Sequence, residues 1–336
     1  MSLIPTVYSS ADAGAPALTG QTGSLVDLLY AVLVTGYGTG GGAKAGAGWT
    51  RPYTGTAKAV FRNNPTTGVG GYLRIDDGAT VAGSNARFAY WHTYETMTGI
   101  DTGTGQTPTS AQRTNGGIQL KSKSLDAVAR AWVCFATETF FYLFVDVGNT
   151  ATGWINVASF PSFFGDFVTR KPGDNYHFLG LTPDVTAAYT GSATNYGGML
   201  IGVSFSSTPG TSGFLLRDAA QTVASKSCGV AALSDGYTGG ILGSAGSYPD
   251  AVSGGLMIDR VAIFEAQRQV RGWLPNVYAT PNGMAFADME ARTDFAAVPA
   301  GTTIRAKRLS QSAATPNTNS TFHGILLFDT SNEWGG

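Results

Sequence analysis

Residues 139–147 read Thr-Phe-Phe-Tyr-Leu-Phe-Val-Asp-Val, and this run constrains the fold more than any other feature of the chain. A strand turns successive side chains to opposite faces, so Phe140, Tyr142 and Phe144 lie on one face and Phe141, Leu143 and Val145 on the other. Both sets are apolar. A strand with one wet face is therefore excluded, and the pattern predicts a strand covered on each side, at the centre of a core. Residues 130–136 form a second apolar run just before it, and a turn near Thr137 and Glu138 joins the two as a hairpin.

Around this hairpin the chain reads as short strands separated by turn clusters. They are expected over residues 57–62, 71–76, 87–93 and 117–122 before it, and over 154–159, 163–170, 176–181, 199–206, 256–264, 302–309 and 322–329 after it. Such spacing predicts an all-β fold, a β-sandwich or jelly-roll-like set of antiparallel sheets. Ahead of the strands, residues 1–20 hold Pro5, Gly14, Pro16 and Gly20 without hydrophobic periodicity and read as an extended N-terminal arm. Ser24 is placed to cap one short helix, with Leu25, Leu28, Leu29, Val32 and Leu33 on its apolar face and Gly36 as its stop. The expected division is 1–48 for the arm, helix and glycine-rich loop, 49–245 for the main β domain, and 246–336 for a C-terminal β region that could return to the same core. Residues 186–198 and 207–213 read as exposed loops or a β insertion.

Charge narrows the partners. Charged residues make up 13% of the chain, against ~25% in an ordinary soluble domain. With 21 Lys and Arg against 22 Asp and Glu, the net charge of −1 provides no basic footprint, so neither nucleic acid nor an anionic membrane is an expected partner. A nearly uncharged surface lacks the self-repulsion that keeps concentrated molecules apart, which suits permanent assembly. The longest mainly apolar stretch, residues 25–34, is far shorter than the ~20 residues that cross a bilayer, and the opening residues lack a signal-peptide pattern. The expectation is a soluble chain made in a reducing cytoplasm, with Cys134 and Cys228 unpaired and Cys134 buried as a small hydrophobe.

Candidate chemistry is thin. His92, His177 and His323 fall in different strand patterns with no ligand spacing between them, which reads as core-edge histidines rather than a metal site. Gly36-x-Gly38-x-x-Gly41 matches the dinucleotide fingerprint in letters but follows a helix instead of a strand, and Lys44 has no phosphate-loop context. Asp76, Asp101, Asp166 and Asp174 are the carboxylates available to a glycosidase pair; Asp76 and Asp174 read more simply as turn residues. No Gly-x-Ser-x-Gly elbow is present. No enzyme activity, cofactor or metal is expected. Tyr90, Trp91 and Tyr94 could line a sugar-binding face, with Trp91 and Tyr94 as a glycan-stacking platform, as could Trp154 and Phe160, although aromatic residues more often fill β-sandwich interiors.

Longer segments carry a resemblance. Residues 13–25, from Ala13-Gly14-Ala15-Pro16 to Gly23-Ser24-Leu25, with Gly36-Tyr37-Gly38 after the helix, are similar to the opening of a family of bacteriophage virion structural proteins. Similar segments are Gly48-Trp49-Thr50-Arg51-Pro52-Tyr53, Gly71-Tyr72-Leu73-Arg74-Ile75-Asp76-Asp77, residues 94–105, Ala129-Arg130-Ala131-Trp132-Val133 and Phe164-Gly165-Asp166-Phe167. Residues 270–278 resemble the family's Arg-Gly-x-Leu-Pro-Gly-x-Tyr element, with Asn276 where the family usually has glycine. The resemblance spans nearly the whole chain and implies a component of a tailed bacteriophage virion; it does not fix the place in the particle, for which the tail, baseplate or fibre attachment region is the expectation. A capsid decoration protein or a module that binds host-surface carbohydrate is the alternative. Expected partners are other virion proteins and copies of the chain in a symmetric assembly. The expected contacts are Ile4, Pro5, Val7, Tyr8, Pro16 and Leu18 of the arm, docked on a neighbour, together with Tyr37 and Lys44 of the glycine-rich loop.

Overall fold

The computed structural model describes residues 4–78, 87–113, 115–147, 160–182, 214–216, 226–231, 258–265, 269–280, 289, 291–293, 303–309 and 324–331. The first strands in chain order are β1 (Thr6–Ser9), β2 (Thr50–Gly55), β3 (Lys58–Arg62), β4 (Tyr72–Asp76), β5 (Arg87–Tyr94), β6 (Thr96–Gly99) and β7 (Thr102–Thr104). There follow β8 (Gly117–Ser122), β9 (Trp132–Ala136), β10 (Phe140–Val145), β11 (Phe160–Asp166), β12 (Val168–Thr169) and β13 (Phe178–Leu181). They build two five-stranded antiparallel sheets, ordered β1-β9-β10-β11-β13 and β2-β3-β4-β5-β8, and the small hairpin β6-β7. A third sheet comprises β14 (Phe214–Leu216), β15 (Lys226–Ala231), β16 (Asp259–Glu265), β17 (Gln269–Thr280), β18 (Ala291–Arg292), β19 (Ile304–Leu309) and β20 (Gly324–Asp329). Its order is β14-β15-β16-β17-β20-β19-β18, with β12 added beside β17. The fold is all-β and sandwich-like. Expected strands at 154–159 and 199–206 and the loops at 186–198 and 207–213 lie outside the described residues.

The alternation of β10 sets the layering. Phe141, Leu143 and Val145 pack in one cluster with Phe61, Leu73 and Ile75 of the second sheet and with helix residues Leu25, Leu29 and Leu33. Phe140, Tyr142 and Phe144 join a different cluster with Ile263, Leu274, Val277 and Phe328 of the third sheet. The first sheet is thus the middle layer of three, and β10, covered on each side as its sequence predicts, runs through its centre. Each of the six side chains is at most 2% exposed, and such burial contributes ~1.5–3 kcal/mol per large apolar group. Phe135 stacks on Phe328 at 4.1 Å between ring centres, and the buried Tyr142 hydroxyl donates to the Pro275 carbonyl at 2.7 Å. The expected division at residues 48 and 246 does not separate cores: one cluster runs from Tyr8 to Phe164, the other from Phe135 to Phe328.

The helix forms where expected, as α1 (Ser24–Tyr30), relaxes into a π turn over Ala31–Thr35 and ends at Gly36 with φ 79°. Its cap differs from the expectation. Ser24 is the first helical residue, and its hydroxyl donates to the Thr19 carbonyl at 2.8 Å. The Leu25 N–H instead donates to Asp77 Oδ2 at 2.9 Å, so the carboxylate that quiets the helix start comes from the end of β4. Asp77 is ion-paired in turn with Lys121, both side chains almost fully buried.

The arm does not reach outward. β1 pairs with β9 of its own chain, Thr6 opposite Ala136 and Ser9 opposite Val133, which makes it an edge strand of the middle layer. Pro5 is buried, and Tyr8 and Leu18 are 1% and 0% exposed. The Trp132 indole donates to the Pro16 carbonyl at 3.1 Å. The glycine-rich loop completes the seal, because Lys44 Nζ donates to the Val7 carbonyl at 2.7 Å and to Asp12 Oδ2 at 2.6 Å. The Tyr37 hydroxyl donates to the same carboxylate oxygen at 2.6 Å. Pro5, Val7, Tyr8, Pro16, Leu18, Tyr37 and Lys44, expected as contacts to a neighbour, are thus all engaged within the chain's own fold. Ile4, at 39% exposed, stays at the surface.

Candidate functional site

Residues 270–278 fall in β17, which strand patterning does not reveal because Arg271, Gly272, Pro275 and Asn276 interrupt it and its pairing with β16 is bulged. Arg271 is sunk beneath the surface. Its Nε and Nη2 donate to the two Asp174 oxygens at 2.8 Å each, and Nη1 reaches Glu265 at 2.9 Å. Leu274 and Val277 enter the core, and Asn276 holds the left-handed conformation at φ 52°. Glycine takes this conformation freely and asparagine tolerates it best among the others, so Asn276 suits the backbone at this point. The segment fastens the third sheet to the turn that carries Asp174, a structural duty.

Two of the other carboxylates are likewise held by cations. Asp76 and Asp101 share the cations of Arg74 and Lys58. Burial pulls the Asp101 carboxyl upward, but hydrogen bonding and attraction from Arg74, helped by Lys58, hold it below its ordinary range. A glycosidase acid needs the opposite displacement. Burial pushes Asp166 up to about 6, and its Oδ2 accepts the Val69 N–H at 2.9 Å. Asp174 belongs to Arg271. Cys134 is a buried free thiol, and among the described residues no three His, Cys, Asp or Glu side chains gather as metal ligands. No helix among them is long and apolar enough to cross a membrane.

One polar groove lies on the outer face of the second sheet. In the register of β4 and β5, Tyr72 is opposite Tyr94, Arg74 opposite His92, and Asp76 opposite Tyr90. Those residues share one face, while Leu73, Ile75, Trp91 and Thr93 share the other. Trp91 and Tyr94 therefore point to opposite sides of the sheet and cannot form the glycan-stacking platform that their proximity in sequence suggests. Trp91 is 6% exposed, donates to Thr182 Oγ1 at 3.0 Å and packs edge-on against Phe164. Only glycine fits beside it: a Cβ on Gly117 or Gly180 would lie 2.0 or 2.5 Å from the indole. Tyr94, 8% exposed, packs against Val60 and Met97. Trp154 and the Phe160 side chain lie outside the described residues.

The groove encloses about 270 Å³ between Arg74, Asp76, Tyr90, His92 and Tyr94 of the sheet and Asp101, Gln106, Ser110 and Asn115 of the segment that crosses it. Asn115 donates to the Tyr90 hydroxyl at 3.2 Å. His92, 6% exposed, finds no hydrogen-bond partner for either ring nitrogen among the described residues. Burial, reinforced by Arg74, pushes its pKa down to about 4, so the ring is neutral near pH ~7. The crossing segment approaches closely because residue 116 is glycine; a Cβ there would lie 2.5 Å from His92 Cε1.

A second exposed feature was not legible as a contact. Leu125 and Val128, 49% and 58% exposed, project from the connection between β8 and β9. The connection is held in shape by Arg130, which donates to Ser122, Ser124 and Asp126 at 2.9, 2.9 and 2.8 Å, and by Gly20 N–H donating to the Asp126 carbonyl at 3.0 Å. Two large apolar residues in a stretch without strand or helix period were the available signal. In comparison with known proteins, no family model matches the chain and no curated protein matches it.

Proposed function

We propose that the chain is a non-enzymatic structural component of a tailed bacteriophage virion, acting at the tail, baseplate or fibre attachment region through contacts with other virion proteins and with copies of itself. The observation that carries this reading is the braced loop at residues 124–128. It presents two large apolar side chains to solvent on a backbone already fixed by Arg130 and Asp126. A rigid apolar projection lowers the entropy lost on docking, and desolvation of such anchors drives assembly. The binding of Asp76, Asp101 and Asp174 into ion pairs fits the same reading, as does the resemblance of residues 13–25 and 270–278 to virion structural proteins.

Cryo-electron microscopy of intact particles tests it, with particles carrying Leu125→Asp and Val128→Asp as the paired experiment. Symmetric density that this fold fits, with the loop buried against a neighbour and the double variant lost from particles, is the expected result. Density at the capsid surface would keep the assembly role and replace the tail location by the decoration alternative. Absence of the chain from well-ordered particles would overturn the proposal.

A further inference from the structure

We infer that the groove above His92 is a binding site for a neutral saccharide. The inference is independent of the assembly reading. It begins from a deficit: an imidazole at 6% exposure carries one donor and one acceptor, and neither is used within the protein among the described residues. Leaving a buried polar group unsatisfied is costly, so a fold that keeps one at the floor of an open groove retains a group ready for an incoming partner.

The surroundings define that partner. The charges at one end cancel, with Arg74 and Lys58 against Asp76 and Asp101, which removes the net field that would select a phosphate, a carboxylate or a cation. The remaining lining consists of neutral groups that both donate and accept: the Tyr90 hydroxyl, Gln106, Ser110 and Asn115. A ring bearing adjacent hydroxyls, each a donor and an acceptor, matches this mixture and can meet both nitrogens of a neutral imidazole. About 270 Å³ is room for a small ligand portion on the scale of a sugar ring. Recognition here rests on directional hydrogen bonds, so it differs from the stacking platform that the position of Trp91 rules out.

The test uses the full chain on an array of neutral hexose and N-acetylhexosamine oligosaccharides printed beside sialylated and uronate glycans, followed by titration calorimetry with the strongest neutral hit. Three proteins are compared: wild type, His92→Phe and the rim variant Asn115→Ala, which alters an exposed side chain and leaves the sheet intact. The expected result is binding of a neutral glycan by wild type, weakened about tenfold or more in each variant, as for loss of a good hydrogen bond. A shift of the His92 ring resonances on adding that glycan is expected as well. Three results would each overturn the inference: no neutral glycan retained, only acidic glycans retained, or neutral-glycan binding unchanged in Asn115→Ala with the His92 resonances unmoved.

Discussion

Replacing Arg271 by methionine removes the cation from a carboxylate that cannot reach water. Arg271 and Asp174 have side-chain exposures of 2% and 0% and meet through two parallel bonds of 2.8 Å. Breaking a buried pair by deleting one partner costs ~3–5 kcal/mol, because the remaining charge is uncompensated. Asp174 keeps the Thr169 hydroxyl and the Tyr176 N–H as donors, which places the expected cost at the low end, ~3 kcal/mol. The pH dependence gives the sharper test. In the wild type, burial pulls Asp174 upward but Arg271 outweighs it, so the folded carboxyl titrates below its unfolded value. Its contribution is then present above pH ~4 and lost as pH falls through the folded value. In Arg271→Met the upward pull of burial is opposed only by the Tyr176 N–H and the Thr169 hydroxyl, so the carboxyl titrates higher than in the wild type and stability contributed above pH ~4 is lost. Urea unfolding followed by tryptophan fluorescence should therefore find the largest difference near pH ~7 and a smaller one near pH ~4. Adding Asp174→Asn should recover part of the loss. A cost below ~1 kcal/mol at neutral pH, or an equal cost at both, would refute the buried-charge reasoning.

Three further expectations follow from particular contacts. The Asp166 carboxyl, pushed up to about 6 by burial, favours a protonated native state. Stability should accordingly fall as pH rises between ~4 and ~6, by up to ~3 kcal/mol at ~1.4 kcal/mol per pKa unit, and Asp166→Asn should flatten that slope in unfolding measured across the range. Gly180→Ala would place a methyl 2.5 Å from the Trp91 ring; a loss of ~1–3 kcal/mol in a thermal or urea melt is expected, and unchanged stability would contradict the clamped position of Trp91. At Asn276, φ 52°, glycine should be accepted within ~0.5 kcal/mol while valine costs ~1–2 kcal/mol, a ranking that the same melts can reverse or uphold.

What could be read in advance was periodicity. The apolar residues on both faces of β10 announced a middle layer before any partner was known, and the spacing of Leu25, Leu28, Leu29, Val32 and Leu33 announced the helix. Strands with clean boundaries, such as Gly117–Ser122, were visible for the same reason. β17 was hidden because bulges and a left-handed residue break its alternation, and β1 was hidden because four residues with a proline before them carry too little pattern. Sequence proximity also misled at Trp91 and Tyr94, whose odd spacing sends them to opposite faces of one strand.

By itself, then, the sequence determined the all-β class, the doubly covered strand and the low charge, since each is a property of neighbouring residues or of a sum over the chain. Only the tertiary structure decided that the arm seals its own sheet, that Asp77 caps a helix from a distant strand, that Arg271 finds Asp174, and that His92 lies beneath a groove without a hydrogen-bond partner among the described residues. The physical reason is that local pattern fixes which side chains share a face, whereas register and long-range packing fix what that face meets.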